Sequence, residues 1–407
     1  MRTRLTLLIT LTLVVTALVL FLFRPWSPWS PWRMNQMFWA GKRIDNFRHM
    51  EQMFPTVPMK PSDTPQAWPQ AAAPLALPTT YVFNGEVRLT EAFLERSITT
   101  GLLVLRNGEV LHEEYRRGAD AGTRFTSWSV AKSFVATLVG IALKEGKIAS
   151  LDDKAEVYVP ELRGKAYGQA SLHDLLRMSS GVKFSEIYAD RTADIHRVFY
   201  KTFIFGQSID DAASDYPAEF PPGTRFHYNS MDTQMLSWVL REATGQPLAE
   251  YAQEKLWEPL GMQDDGLWNT DFKGNELGYC CLNITLRDYA KLGQLYLQHG
   301  QWNGVQLLPA DWVTQSTQRP EPWLAAGNGF PERGYGHKWW VPKNPDREYF
   351  ANGVWGQSIW VDEKTGTIIV KTSVDPDFQA HTAEMIEVMR AIAAHTDATP
   401  SAIAAAE

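Results

Sequence analysis

One stretch, Phe125 to Gly140, limits the possible folds more than any other. Ser129 and Lys132 lie in its first turn. Beyond them Ala131, Phe134, Val135, Ala136, Leu138, Val139, Ile141, Ala142 and Leu143 are apolar almost all round. A helix that is apolar on every face needs cover on every face, so the pattern predicts a domain built around one buried helix with its polar groups at the start. Positions i and i+3 share a face, which puts the Lys132 amine within reach of the Ser129 hydroxyl. A serine hydroxyl is a weak nucleophile until a neighbouring base takes its proton. For an amine to be that base at pH 7 its pKa must fall from near 10.4, a change of roughly 4.6 kcal/mol, and burial is the usual source. A second Ser-x-x-Lys occurs at Ser180 to Lys183, but Gly181 follows its serine and would end a helix. Taken alone, Ser-x-x-Lys also describes an ordinary helix start with a solvated lysine, so the catalytic reading depends on partners elsewhere in the chain.

At 407 residues, 44% hydrophobic and 21% charged, the chain can bury an ample core. A net charge of −7 gives no basic track for nucleic acid. The two cysteines, Cys280 and Cys281, are adjacent, and neighbours in sequence rarely meet disulfide geometry. Two thiols without clustered histidines do not make a zinc site, so neither metal nor cofactor is expected.

Residues 1–4 are basic and residues 5–23 carry no charge. About 19 residues at ~1.5 Å rise span ~28 Å, close to the ~30 Å hydrocarbon core of a bilayer. No small-residue cleavage site follows, so residues 1–24 are expected to stay as a signal anchor. Arg2 and Arg4 favour a cytoplasmic N-terminus, which makes the chain single-pass in the inner membrane with its catalytic part periplasmic or extracytoplasmic. The repeated Pro-Trp-Ser after Arg24 suits the membrane interface. Residues 25–79 read as a Pro- and Trp-rich linker or surface strap carrying one short amphipathic helix between Met34 and Phe54. The folded domain is expected over 80–395, with 396–407 as a tail.

Within the domain, Gly101 to Leu111 reads as strand, Asn-Gly turn, strand. Helices dominate from Ser129 to about residue 300. Strands return at 354–361 and 367–372, and a helix near 380–394 closes the domain. Strands at both ends with helices between predict an α+β fold: an antiparallel sheet flanked by helices, with an inserted all-α region.

Several motifs then resemble one superfamily in the expected order. Ser129-Val130-Ala131-Lys132 resembles the nucleophile motif of serine β-lactamases, penicillin-binding proteins and their esterase and amidase relatives, and Tyr228-Asn229-Ser230 resembles their Tyr-x-Asn/Ser motif. Phe220-Pro221-Pro222-Gly223-Thr224 looks like the loop before it, and Leu151-Asp152-Asp153, Leu175 to Gly181 and Pro259-Leu260-Gly261-Met262 are further landmarks. Gly181 to Tyr188 and Asn283 to Tyr289 are most similar to the class C-like branch of 6-aminohexanoate-dimer hydrolases and carboxylesterases.

The resemblance implies a catalytic set of Ser129, Lys132 and Tyr228. Its third motif, Lys-Thr-Gly or His-x-Gly on a strand edge, has a literal match at Lys364-Thr365-Gly366, but that triplet sits in a turn between strands. Val354-Trp355-Gly356-Gln357 is the better positional match, with the N–H groups of Ser129 and Gln357 as the oxyanion hole and Gly356 admitting substrate. Trp355, Tyr188 and Asp288 are the remaining candidates for substrate contact. Val354 in place of a cation weakens the β-lactamase and D-Ala carboxypeptidase readings and favours a small amide or ester substrate. The rival from another class is a non-catalytic penicillin-binding-like sensor.

Overall fold

The computed structural model describes residues 2–24, 26–318 and 321–398. Seven antiparallel strands form its central sheet, in the order Arg333–Tyr335, Trp340–Pro342, Glu348–Gly353, Gln357–Asp362, Thr367–Ser373, Thr99–Arg106, Glu109–Tyr115. The strand Thr99–Arg106 pairs with Thr367–Ser373, so the two ends of the domain complete one sheet. Residues 131–317 are inserted between the last N-terminal strand and the first C-terminal one of this sheet, as the sequence pattern implied, but the insert is not all-α: it also carries the short strands Gly266–Asn269, Leu282–Ile284, Gln301–Trp302 and Val305–Gln306.

Alternation along the strands sorts the core into two layers. Leu102, Val104, Trp360 and Ile369 face the closing helix Phe378–Ala398 through Met385, Val388, Met389 and Ile392. Leu103, Leu105, Ile359, Val361, Ile368 and Val370 face the other way, toward the helix Leu286–Leu297 and the inserted helices. Gly293 lets that helix settle on the sheet: a Cβ there would stand 2.9 Å from Ile368 and 3.1 Å from Ile359. The helix Ala131–Lys144 lies inside this second layer, with every residue from Ala131 to Ala142 buried.

The predicted hairpin turns at Asn107-Gly108, both at positive φ, between Thr99–Arg106 and Glu109–Tyr115. Lys364-Thr365-Gly366 is indeed the turn between the strands Gln357–Asp362 and Thr367–Ser373, with Gly366 at φ +68°. The strand expected from Val354 starts later, at Gln357, because Val354–Gly356 forms a tight turn with Trp355 at φ +66°.

The apolar N-terminal helix Arg2–Phe23 packs against none of the domain core; its segment Thr3–Phe21 has mean hydropathy 2.3. The segment after it differs from a single amphipathic helix. It forms short turns at Pro31–Asn35, Arg43–Asn46 and Met50–Gln52, and buries Met34, Met37, Phe47, Met50, Met53 and Phe54. Thr56–Met59 then pairs with Gly266–Asn269 at the edge of a four-stranded sheet. The proline-rich part runs on as a strap: Ser62 N–H donates to Met262 O at 2.9 Å, and Leu75 N–H to Leu111 O at 2.7 Å. Most of the tail, residues 399–407, lies outside the described residues.

The loop that delivers Tyr228 is held by Gly181. Its carbonyl accepts from Glu219 and Phe220 N–H, its φ is +74°, and a Cβ would stand 2.1 Å from Phe220 O. Gly181→Ala therefore combines left-handed strain with a backbone clash. Equilibrium urea unfolding is expected to show a loss of about 2 kcal/mol or more, whereas Gly85→Ala, also at positive φ but in open space, reports the strain alone and should lose less.

Candidate active site

Ser129 sits in a 3₁₀ turn, Trp128–Val130, that leads directly into the buried helix. Trp128 adopts φ +44°, a strained value for a large side chain, and this bends the chain sharply just before the nucleophile. The Lys132 Nζ lies 2.6 Å from Ser129 Oγ and donates to Tyr279 O at 2.9 Å. Lys132 is 1% exposed. Burial brings its pKa down to about 8, against the opposing pull of the Glu186 carboxylate. The same amine stands 5.3 Å from the Tyr228 ring centre and 5.9 Å from that of Tyr279.

The Tyr228 phenol lies beside the Ser129 side chain. Burial pushes its phenol well above the usual range, Glu186 adds to this, and the Ser129 side chain partly offsets it. The ring stacks on Trp340 at 5.5 Å. Its loop is fixed from both sides. His227 N–H donates to Met178 O at 2.8 Å, and the His227 ring bonds Phe184 O at 2.6 Å. The Asn229 side chain caps the following helix, Ser230–Thr244, through Met231 N–H. His227 is thus a structural residue of the loop.

Glu186 escaped the motif reading and proves central. It accepts from Ser230 N–H and Ser230 Oγ, each at 2.6 Å, and from the Tyr188 hydroxyl. Tyr188 is held beside Tyr228 and Tyr279, and its phenol pKa is raised, first by burial and then by Glu186. The sequence candidate Tyr188 therefore does belong to this cluster. A signal for Glu186 existed, since it lies in the Gly181 to Tyr188 stretch, but nothing in that stretch marked it as a carboxylate facing the lysine.

Other candidates lie elsewhere. Asp288 is buried at the start of the helix Leu286–Leu297, where it accepts from Gln263 N–H at 2.8 Å and Asp264 N–H at 3.0 Å. It is a fully buried helix-end carboxylate engaged with the backbone. Gly356 has a reason within the fold to be glycine: φ is +85° and a Cβ would stand 2.3 Å from Ser373 Oγ. The Gln357 side chain is engaged with the Ser373 backbone, donating at 2.7 Å and accepting at 3.2 Å. Trp355 is stacked by Phe38 at 5.8 Å, edged by Phe47 at 5.5 Å and covered by the Arg43 guanidinium at 4.6 Å, so its indole packs against the chain's own N-terminal segment. The backbone that approaches the nucleophile closely is Gly353, at the end of its strand. A Cβ there would stand 2.6 Å from Ser127 O and 3.2 Å from Ser129 N. In the second Ser-x-x-Lys, Ser180 donates to Asp232 at 2.6 Å while Lys183 is exposed, so the two share no site.

A serine paired to a buried amine, a phenol from a distant loop, and a glycine strand-end laid against the serine backbone, all on a sheet closed by both ends of the domain, define the beta-lactamase family. The chain belongs to it: the Beta-lactamase family model matches residues 87–393. It is 30% identical over 299 residues to the 6-aminohexanoate-dimer hydrolase of Paenarthrobacter ureafaciens, covering 70% of this chain and 75% of that one. It is 31% identical over 221 residues to Esterase EstB of Burkholderia gladioli, covering 50% and 54%. Among solved structures, a Bacillus anthracis protein provisionally described as a 6-aminohexanoate-dimer hydrolase superposes with a TM-score of 0.81 at 26% identity, covering 89% of this chain and 97% of that one.

An amine with a pKa near 8 is largely protonated at pH 7 and frees its lone pair as pH rises. Reaction of Ser129 with a fluorophosphonate probe is therefore expected to accelerate with pH and level off above about 8. Glu186→Gln removes the charge that favours the ammonium, so its rate profile should rise at lower pH than wild type. Profiles from rapid-quench mass spectrometry that coincide would exclude Glu186 from this role.

Proposed function

We propose that the protein is a serine amidase or esterase that works through a Ser129 acyl-enzyme, of the 6-aminohexanoate-dimer-hydrolase type. The observation that carries this reading is the 2.6 Å contact between Ser129 Oγ and a buried Lys132 amine. Lys132 in its neutral form takes the Ser129 proton as the hydroxyl attacks the carbonyl carbon. Tyr228, kept neutral by its raised pKa, gives its proton to the departing nitrogen or oxygen and is refilled from the Lys132 ammonium through the shared Ser129 position. Water then enters by the reverse sequence and releases the acid.

The oxyanion hole combines the Ser129 N–H with the first amide after Gly353, that of Val354. We take this amide in place of that of Gln357 as second donor because the Gly353 backbone packs against Ser129 N. At the end of this strand stand Ala351, Asn352 and Gly353, none of them cationic. A substrate held through a carboxylate, as in penicillins and D-alanyl peptides, has no partner there, and an uncharged amide or ester fits better. Tyr188, anchored on Glu186, faces the leaving-group side. The N-terminal helix is read as an uncleaved anchor with the domain on the periplasmic side.

On a panel of p-nitrophenyl esters and short linear amides, Ser129→Ala is expected to lose on the order of 10⁴-fold in kcat. Tyr228→Phe should lose about 10²- to 10⁴-fold. No turnover of any ester or amide by wild type, together with no phosphonate adduct on Ser129, would sink the reading in favour of a non-catalytic binding protein. Fluorescent penicillin is expected to label the domain poorly, and efficient labelling would restore the β-lactam reading. Alkaline phosphatase fused after residue 40 should be active in cells; an inactive fusion places the domain on the cytoplasmic side.

A further inference from the structure

Contrary to the sequence expectation, Cys280 and Cys281 are joined by a disulfide. Its position is what gives it meaning. The residue just before the pair, Tyr279, supplies the carbonyl that receives the Lys132 amine at 2.9 Å. Just after it, Leu282 N–H donates to Ser127 Oγ at 2.9 Å and Leu282 O accepts from Ser127 N–H at 2.7 Å. The pair itself is pinned from behind. Cys280 O accepts from the Trp268 indole at 3.1 Å, and Cys281 O accepts from Asn269 N–H at 3.0 Å and the Asn283 side chain at 2.9 Å. The short run 279–282 thus bridges the two sides of the nucleophile turn, from Lys132 to Ser127.

Cys281 holds φ +67°, a conformation that a residue with a Cβ rarely adopts unassisted. A covalent ring through the Cys280–Cys281 peptide limits the torsions available on either side of it. A disulfide between neighbours closes too short a loop to constrain the unfolded chain appreciably, so its consequence is local geometry rather than global stability. Both cysteines are buried, at 5% and 4% exposure, and the groups facing the Lys132 amine are Ser129, Tyr228, Tyr279, Glu186 and Lys338.

We infer that the Cys280–Cys281 bond is a positioning element for catalysis: it holds the Tyr279 carbonyl on the Lys132 amine, so that the amine's lone pair points at Ser129. The inference rests on the serine-hydrolase reading above. Opening the bond takes a dithiol: its two thiolates attack in turn, the Cys–Cys bond breaks to two thiols, and the dithiol leaves as its own cyclic disulfide. The freed carbonyl can then swing off the amine. Losing an acceptor that favours the ammonium lowers the amine's pKa, while losing its orientation slows the chemistry.

The test uses the full chain in detergent, oxidised and after dithiothreitol, with thiols counted by alkylation and mass spectrometry. The variants Cys280→Ser/Cys281→Ser and Cys280→Ala/Cys281→Ala stand in for the reduced form should the reductant fail to reach the bond. With a p-nitrophenyl ester as substrate, opening the bond is expected to lower kcat about 10- to 100-fold. KM should stay within about twofold, the low-pH limb of kcat/KM should move to lower pH, and reoxidation of the wild type should restore both. A merely structural bond would alter thermal stability or the active fraction and leave the limb in place. Unchanged kcat and an unmoved limb in protein shown to carry two free thiols, or in both variants, would overturn the inference alone. Oxidised protein with neither turnover nor a phosphonate adduct would overturn the underlying reading, and this inference with it.

Discussion

Everything at this site follows from placing a lysine amine where water cannot reach it. Desolvation makes the charged form unfavourable, and the change from 10.5 to about 8 corresponds to about 3 kcal/mol of destabilised ammonium. That penalty is what turns an ordinary amine into a base near neutral pH. Glu186 opposes the shift, and a purely apolar pocket would drive the pKa lower still. The carboxylate has other work in the structure. It receives Ser230 and Tyr188 and so ties the Tyr228 loop to the segment before it. A compromise results: with a pKa of about 8 the amine keeps its proton at neutral pH for most of the time and gives it up within about one pH unit above.

The fold supplies the burial by enclosing one helix in the rest of the chain. Residues 131–142 are covered by the sheet on one side and by the inserted helices on the other. Their first turn is the point where widely separated segments converge: the Tyr228 loop, the Tyr279 carbonyl and the Gly353 strand-end. None of these contacts is local: the Tyr228 loop is tied by the His227 ring and the Glu186 carboxylate, the Tyr279 carbonyl by the Lys132 amine, and the Gly353 strand-end by close packing. The nucleophile turn is thereby fixed in position before any substrate binds, which is where catalytic groups gain most.

Where physics acts locally, the sequence was easy to read. The Asn107-Gly108 hairpin and the Lys364 to Gly366 turn both follow from propensities within a few residues. The Ser129, Lys132 and Tyr228 set was legible because one pair sits on a single helical turn and the third member carries its own loop signature. Features set by tertiary packing were not. Gly356 looked like a substrate-facing glycine, yet its reason is Ser373 on the neighbouring strand. Asp288 looked available, yet it caps a helix against the 263–264 backbone. The strand expected from Val354 begins only at Gln357 because a positive φ at Trp355, invisible to pattern, makes a turn of Val354–Gly356. Cys280 and Cys281 are joined through a backbone conformation that spacing alone argues against.

The segment after the apolar N-terminal helix packs directly against the site. Phe47 packs edge-on to Trp128 at 5.0 Å and to Trp355 at 5.5 Å, while Phe38 stacks on the same two indoles at 6.0 Å and 5.8 Å. Trp128 immediately precedes the nucleophile and Trp355 immediately follows the proposed oxyanion donor, and both hold positive φ. Strained residues of this kind persist only where their surroundings over-determine them. Here the surroundings are aromatic rings contributed by the short stretch that links the apolar helix to the domain, and Arg48 fastens that stretch by donating to Arg116 O at 3.1 Å and Arg117 O at 2.9 Å. The residues between the apolar helix and the domain therefore do more than span a gap. They form the outer wall of the nucleophile turn, so the geometry at Ser129 depends on chain that a truncation at residue 80 would discard.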